Sequence, residues 1–215
     1  MQIKKNAWSI GAASFALLTL FGNAPGRQDL RKLPPEISAL LPANAKNITG
    51  EFSAGPGTKT NMSGGDIYGE VPNTRDCNHL GKGTIHIKLW VVTGEYADHM
   101  LDIYRRGIPG KIDEERKARQ KAMEWEDDPF VSKWGPVQEE EVPGGRAISF
   151  ETDGPCVEDE NPSYHGVAVR GYSVQGSAYA EVEIGLRGEM AVAKAMLVET
   201  LDKIAKTDFA KLAKH

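Results

Sequence analysis

The segment Gly55-Pro56-Gly57-Thr58-Lys59-Thr60 has the residue types of a phosphate-gripping loop. In such a loop, backbone N–H groups cradle phosphate oxygens and a lysine neutralises them. The spacing rejects that chemistry. The motif runs G-x-x-x-x-G-K-[ST], yet here Lys59 follows Gly55 by only four residues. Thr58 stands where a glycine must let the phosphate approach, and Pro56 removes one donor. The pair Gly64-Gly65 follows, not a long amphipathic helix. The segment reads as a turn between two strands.

Two cysteines occur, Cys77 and Cys156. His79 lies two residues beyond Cys77, but a nucleophile and its base are usually joined by the fold and not by adjacency. An even pair in an exported chain reads as one disulfide, Cys77–Cys156. Its loop of about 80 residues would contribute roughly 4–5 kcal/mol in the chain-entropy picture. The five histidines, His79, His86, His99, His165 and His215, show no metal-binding spacing and read as surface or satisfied residues. Acidic clusters fall at 124–128, 139–141 and 158–160 without the alternating oxygen ligands of a calcium loop. Asp153, Asp159 and Glu160 come nearest to one. Carboxylates are too plentiful to single out a glycosidase pair, and there is no G-x-S-x-G nucleophile motif. The sequence calls for no cofactor and no metal, and its catalytic residues, if any, are unknown.

The N-terminus is more specific. Lys4 and Lys5 precede an apolar run from Ile10 to Phe21, followed by Gly22-Asn23-Ala24-Pro25-Gly26. That is the layout of a secretory signal peptide, with cleavage expected after Gly26. The run is short for a membrane span of about 20 residues, and no second run is long enough. The whole chain has 26 basic and 30 acidic residues. Loss of residues 1–26 removes two lysines and no acid, leaving a net charge of -6. Such an acidic balance argues against a nucleic-acid partner. The expected location is exported, periplasmic or extracellular. Two N-x-[ST] sequons, at Asn47 and Asn61, matter only if the source glycosylates exported proteins.

These residues must be held by elements that the periodicity reveals. Pro35 opens a short helix over 35–41, stopped by Pro42. From 44 to 94 the pattern is that of strands, clearest in Gly83–Val92, where Ile85, Ile87, Leu89 and Val91 share one face. His86, Lys88, Trp90 and Val92 share the other, so Trp90 is either covered by a helix there or exposed for binding. Cover is favoured because Val92 is apolar. Tyr96, Met100, Ile103 and Tyr104 have helical spacing, and the helix is expected to end at Gly107. A second, mostly exposed helix is expected from Asp113 to before Pro129, with a Glu115–Arg119 pair on its surface. Pro143-Gly144-Gly145 and Gln175-Gly176 mark two hairpins. A closing amphipathic helix carries Ala193, Leu197, Leu201 and Ile204 on one face.

Antiparallel strands with grouped helices make an α+β fold, an antiparallel sheet with helices packed on it. Residues 27–215 are expected to form a single domain, with 108–135 the one stretch that could be a helical insertion. In the order of its closing elements, strand, hairpin, strand and amphipathic helix, the chain is similar to small exported Mog1/PsbP-like domains. That likeness implies a fold and no function. The expected function is a non-enzymatic binding or accessory domain for a protein or small-molecule ligand. The alternative is a small extracytoplasmic hydrolase working with carboxylates. A cleft holding two close carboxylates, or a histidine with a carboxylate and a nucleophile, would favour the enzyme, and a continuous apolar groove or patch without such groups would favour binding.

Overall fold

The period-two runs become one sheet. The computed structural model describes residues 33–55, 57, 59–74, 82–123, 133–154 and 164–209. Its strands are β1 (Lys46–Gly55), β2 (Thr60–Val71), β3 (Gly83–Gly94), β4 (Lys133–Trp134), β5 (Gln138–Val142), β6 (Gly145–Gly154), β7 (Tyr164–Gln175) and β8 (Ala178–Arg187). The order across the sheet is β1-β2-β3-β8-β7-β6-β4, with β5 also paired to β6, and every pairing is antiparallel. The fold is α+β. The sequence signals at Gly144 and Gln175-Gly176 close the β5–β6 and β7–β8 hairpins. The stretch 55–60 lies between the paired strands β1 and β2, with Gly55 opposite Met62; Pro56 and Thr58 lie outside the described residues.

Three helices flank the sheet: α1 (Pro35–Ser38), α2 (Ala97–Met123) and α3 (Met190–Lys206). Alternation sends the odd residues of β3 and the even residues of β8 to one face. There Ile85, Ile87, Leu89, Val182 and Ile184 are buried with Ile37 and Leu40 beside α1 and with Leu197, Leu201 and Ile204 of α3. Gly171 lets α3 come close: a Cβ at that position would stand 2.7 Å from Leu197 Cδ1. Among the described residues, no helix is long and apolar enough to cross a membrane.

The opposite face is covered by α2, and here the sequence expectation fails. The chain does not leave the helix at Gly107. It continues through Ile108, Pro109 and Gly110 as one 27-residue helix. Proline in a helix interior costs about 3 kcal/mol relative to alanine, and each glycine about 1 kcal/mol. Against this, Ile108 and Ile112 fall on the same helical face as Leu101 and Tyr104. They are buried beside Val92, Ile148, Tyr172, Val174 and Tyr179. Two fully buried isoleucines contribute roughly 1.5–3 kcal/mol each. The two effects are of similar size, so burial keeps the helix continuous with little to spare at that turn.

Beyond Ile112 the helix is attached by charge. Glu115 does not pair with Arg119 but with Arg170 on β7. Asp113 accepts a hydrogen bond from Arg116 at 2.6 Å, and Arg116 also reaches Glu139 on β5 at 2.6 Å. Trp90 is covered as expected. It packs against Tyr179 at 5.4 Å and Tyr104 of α2 at 6.4 Å between ring centroids.

Candidate ligand cleft

The α2 side of the sheet holds an ordered set of polar side chains. Cross-strand register places Tyr68, His86, Glu183 and Arg170 in one row over β2, β3, β8 and β7. The next row, two residues along each strand, is Asp66, Lys88, Glu181 and Tyr172. With strands spaced about 4.8 Å apart, each row is roughly 14 Å long. Helix α2 packs over β3, β6, β7 and β8, so the β8–β7 end of both rows is roofed. The β2–β3 end is open.

Between α2 and the rows lies a cleft of about 260 Å³ whose lining includes His86, Lys88, Arg170, Glu181 and Glu183 below and Lys111, Glu114 and Glu115 above. It continues into a shallower hollow of about 470 Å³ over Thr49, Glu51, Asp66 and Tyr68. His86 and Lys88 line both, so the two form one depression.

Most of its charges are already engaged. His86 Nε2 lies 2.7 Å from Asp66 Oδ1. The Tyr68 ring stacks on His86, with centroids 4.2 Å apart and planes 13° apart. Arg170 donates to Glu183 at 2.7 Å and to Glu115 from its other terminal nitrogen. Burial works against the Arg170 charge, but Glu183 and Glu115 outweigh it and hold the guanidinium above its ordinary range. The Tyr179 hydroxyl donates to Glu181 at 2.8 Å, and Lys111 Nζ stands 3.7 Å from the same carboxylate. Burial, with Glu181 adding to it, pushes the Tyr179 phenol up, and burial with Glu115 does the same to Tyr172. Tyr68 is raised by burial and by the charges of Asp66 and Glu51. Lys88 differs from these: it is exposed and forms no ion pair among the described residues.

A histidine beside a carboxylate is half of a nucleophile-activating pair. Among the described residues, no serine, threonine or cysteine hydrogen-bonds to His86. Asp66 takes Nε2, the ring nitrogen farther from the backbone, so only Nδ1 remains for another partner. Among the described residues there is no group of three or more His, Cys, Asp or Glu disposed to hold a metal ion.

No family model, curated protein or solved structure matches the chain. The cleft must be understood from its own residues.

Of the residues singled out by sequence, His86 enters the cleft as a satisfied histidine, and His99 lies exposed on α2. Lys59 reaches the residues just before α2, Glu95 at 3.7 Å and the Tyr96 ring, 5.6 Å from its centroid. Cys77, Cys156, His79, His215, Asp159, Glu160 and the side chains of Asp153 and His165 lie outside the described residues. Arg170, Tyr172, Glu181, Glu183, Asp66 and Tyr68 were not selected from the sequence as site residues. Their signal was present as alternate polar positions on strands, but nothing local says which strands are neighbours.

Proposed function

We propose that the chain is an exported, non-enzymatic binding domain and that the depression along the α2 side of the sheet is its ligand site. The observation that carries this reading is the half-open double row itself. Its buried end is locked by Arg170 and Tyr172, while its open end presents Lys88, the stacked Tyr68–His86 pair and Asp66 to solvent. A polar floor on which Lys88 forms no ion pair among the described residues is suited to orienting a small polar ligand. Export is supported by the charged, apolar and small-residue segments of 1–26.

The Cys77–Cys156 disulfide belongs to the same proposal. Thr74, the last described residue before Cys77, donates its N–H to the Arg187 carbonyl at 2.8 Å. Arg187 pairs with Gly166, and Gly166 pairs with Thr152 near the end of β6. The described ends of the two segments, Thr74 and the end of β6, therefore lie at the same end of the sheet, which is compatible with a bridge.

The test is a thermal-shift screen of the exported protein against amino acids, dipeptides, small carboxylates, sugars and sugar phosphates. A compound that raises Tm in the native chain and fails to do so in Lys88→Ala supports the site. If every shift survives Lys88→Ala and Tyr68→Ala, the ligand binds elsewhere. The His86–Asp66 pair favours a second reading, a hydrolase. Turnover of nitrophenyl esters or glycosides that is abolished by both His86→Ala and Asp66→Asn would decide for it.

A further inference from the structure

Gly107-Ile108-Pro109-Gly110 occupies the middle of α2. Pro109 has no N–H for the Arg105 carbonyl, so one rung of the helix ladder is missing. Neither Gly107 nor Gly110 has any atom within 4 Å of the place a Cβ would take. The solvent side of this turn is held by nothing but the backbone, and turns of this kind are where helices bend.

The two halves of α2 are attached differently. Before the turn, Leu101 and Ile108 are buried, with Tyr104 stacked on Tyr179 at 4.6 Å. After it, Ile112 is the one buried side chain among residues 111–121. Among the described residues, this half is also attached by charge: Glu115 to Arg170, Lys111 to Glu181 and Arg116 to Glu139, with the Arg119 guanidinium 4.1 Å above the Phe150 ring.

We propose that residues 111–123 are a lid that swings about Gly107–Gly110, latched by Glu115–Arg170 and Lys111–Glu181. What the lid gates rests on reading the cleft as the ligand site; the motion itself does not. The latch has a feature that suits it to opening. When Glu115 leaves, Arg170 keeps its bond to Glu183. When Lys111 leaves, Glu181 keeps the Tyr179 hydroxyl. Opening leaves Arg170 paired with a carboxylate and the part-exposed Glu181 hydrogen-bonded, so neither is left without a polar partner, and a charge left without one is what makes most buried pairs hard to break.

Hydrogen exchange on the full chain without ligand tests this, at about 0.02 M and about 0.5 M salt, where screening lengths differ several-fold. Amides of 111–121 are expected to exchange at least about tenfold faster than those of 98–106, with a step at the glycines, and faster again at high salt. The Gly107→Ala/Pro109→Ala/Gly110→Ala variant, which strengthens the helix, is expected to remove the step. Glu115→Gln is expected to enlarge it. A smooth gradient from the C-terminal end, or a step that survives the triple substitution, is helix fraying and overturns the lid. Because no ligand is present, that result leaves the binding site standing, just as a failed ligand screen leaves the lid standing.

Discussion

The rings of Tyr68 and His86 lie parallel on neighbouring strands, 4.2 Å apart, with Asp66 holding the imidazole from the same strand as the tyrosine. The three residues form a unit on a solvent-facing part of the sheet, where such contacts are usually loose. Aromatic pairs of this kind contribute about 0.5–1.5 kcal/mol beyond simple burial. A double-mutant cycle of Tyr68→Ala and His86→Ala, measured by urea unfolding, is expected to give a coupling energy in that range. A coupling near zero would mean that the stack is incidental.

Tyr104, Tyr172 and Tyr179 make a prediction at high pH. Burial raises all three phenols above the ordinary value of 10.0, with Glu181 adding to Tyr104 and Tyr179 and Glu115 to Tyr172. A raised value in the folded state means that the fold holds the proton more tightly than the unfolded chain. The stability this supplies is fully present below pH 10 and is lost as pH rises above it. Absorbance at 295 nm should show these three ionising only together with unfolding. Reversible ionisation of all the tyrosines in a still-folded chain would contradict the buried cluster.

Glu199 gives the acid-side counterpart. Its carboxylate is held below the usual range by the Lys203 hydrogen bond, with the Ala43 backbone N–H adding to it. A lowered value contributes stability that is present above the unfolded range near 4.5 and is lost as pH falls through the folded value. Because the side chain is 42% exposed, screening keeps this below about 1 kcal/mol. Glu199→Gln should flatten the acid limb of a Tm-against-pH curve below pH 5 and leave the curve above pH 6 with a small, constant offset. An unchanged acid limb would remove Glu199 from the account.

The contact between Gly171 and Leu197 predicts a compensating pair. Leu197→Ala removes a fully buried side chain and is expected to cost about 2–5 kcal/mol. Gly171→Ala puts a methyl into the space of Leu197 and is expected to cost about 1–3 kcal/mol. Together they should cost less than the two losses added, because the new methyl occupies part of the space that the leucine left. Denaturation of the three variants checks this, and strict additivity would show that the helix does not rest on Gly171.

Much of the sheet was legible because alternation is local. The residues from Gly83 to Val92 announce both faces of β3, and the pairs at Gly144 and Gly176 announce hairpins. The helical stripe of Ala193, Leu197, Leu201 and Ile204 announces α3. The break expected at Gly107 failed for a reason no local rule contains: Ile108 and Ile112 find a buried place on strands that come later in the chain. The cleft was illegible for the same reason. His86 and Glu183 are almost a hundred residues apart, and their adjacency is a property of the β3–β8 pairing alone.

That pairing also sets a clock. β3 is the strand richest in buried aliphatic side chains, and its partner β8 begins only after Glu95–Ser177 has been made. At typical synthesis rates of 5–20 residues per second, the interval is roughly 4–17 s. Throughout it, an apolar strand has one edge unpaired, the arrangement most open to mispairing with another chain.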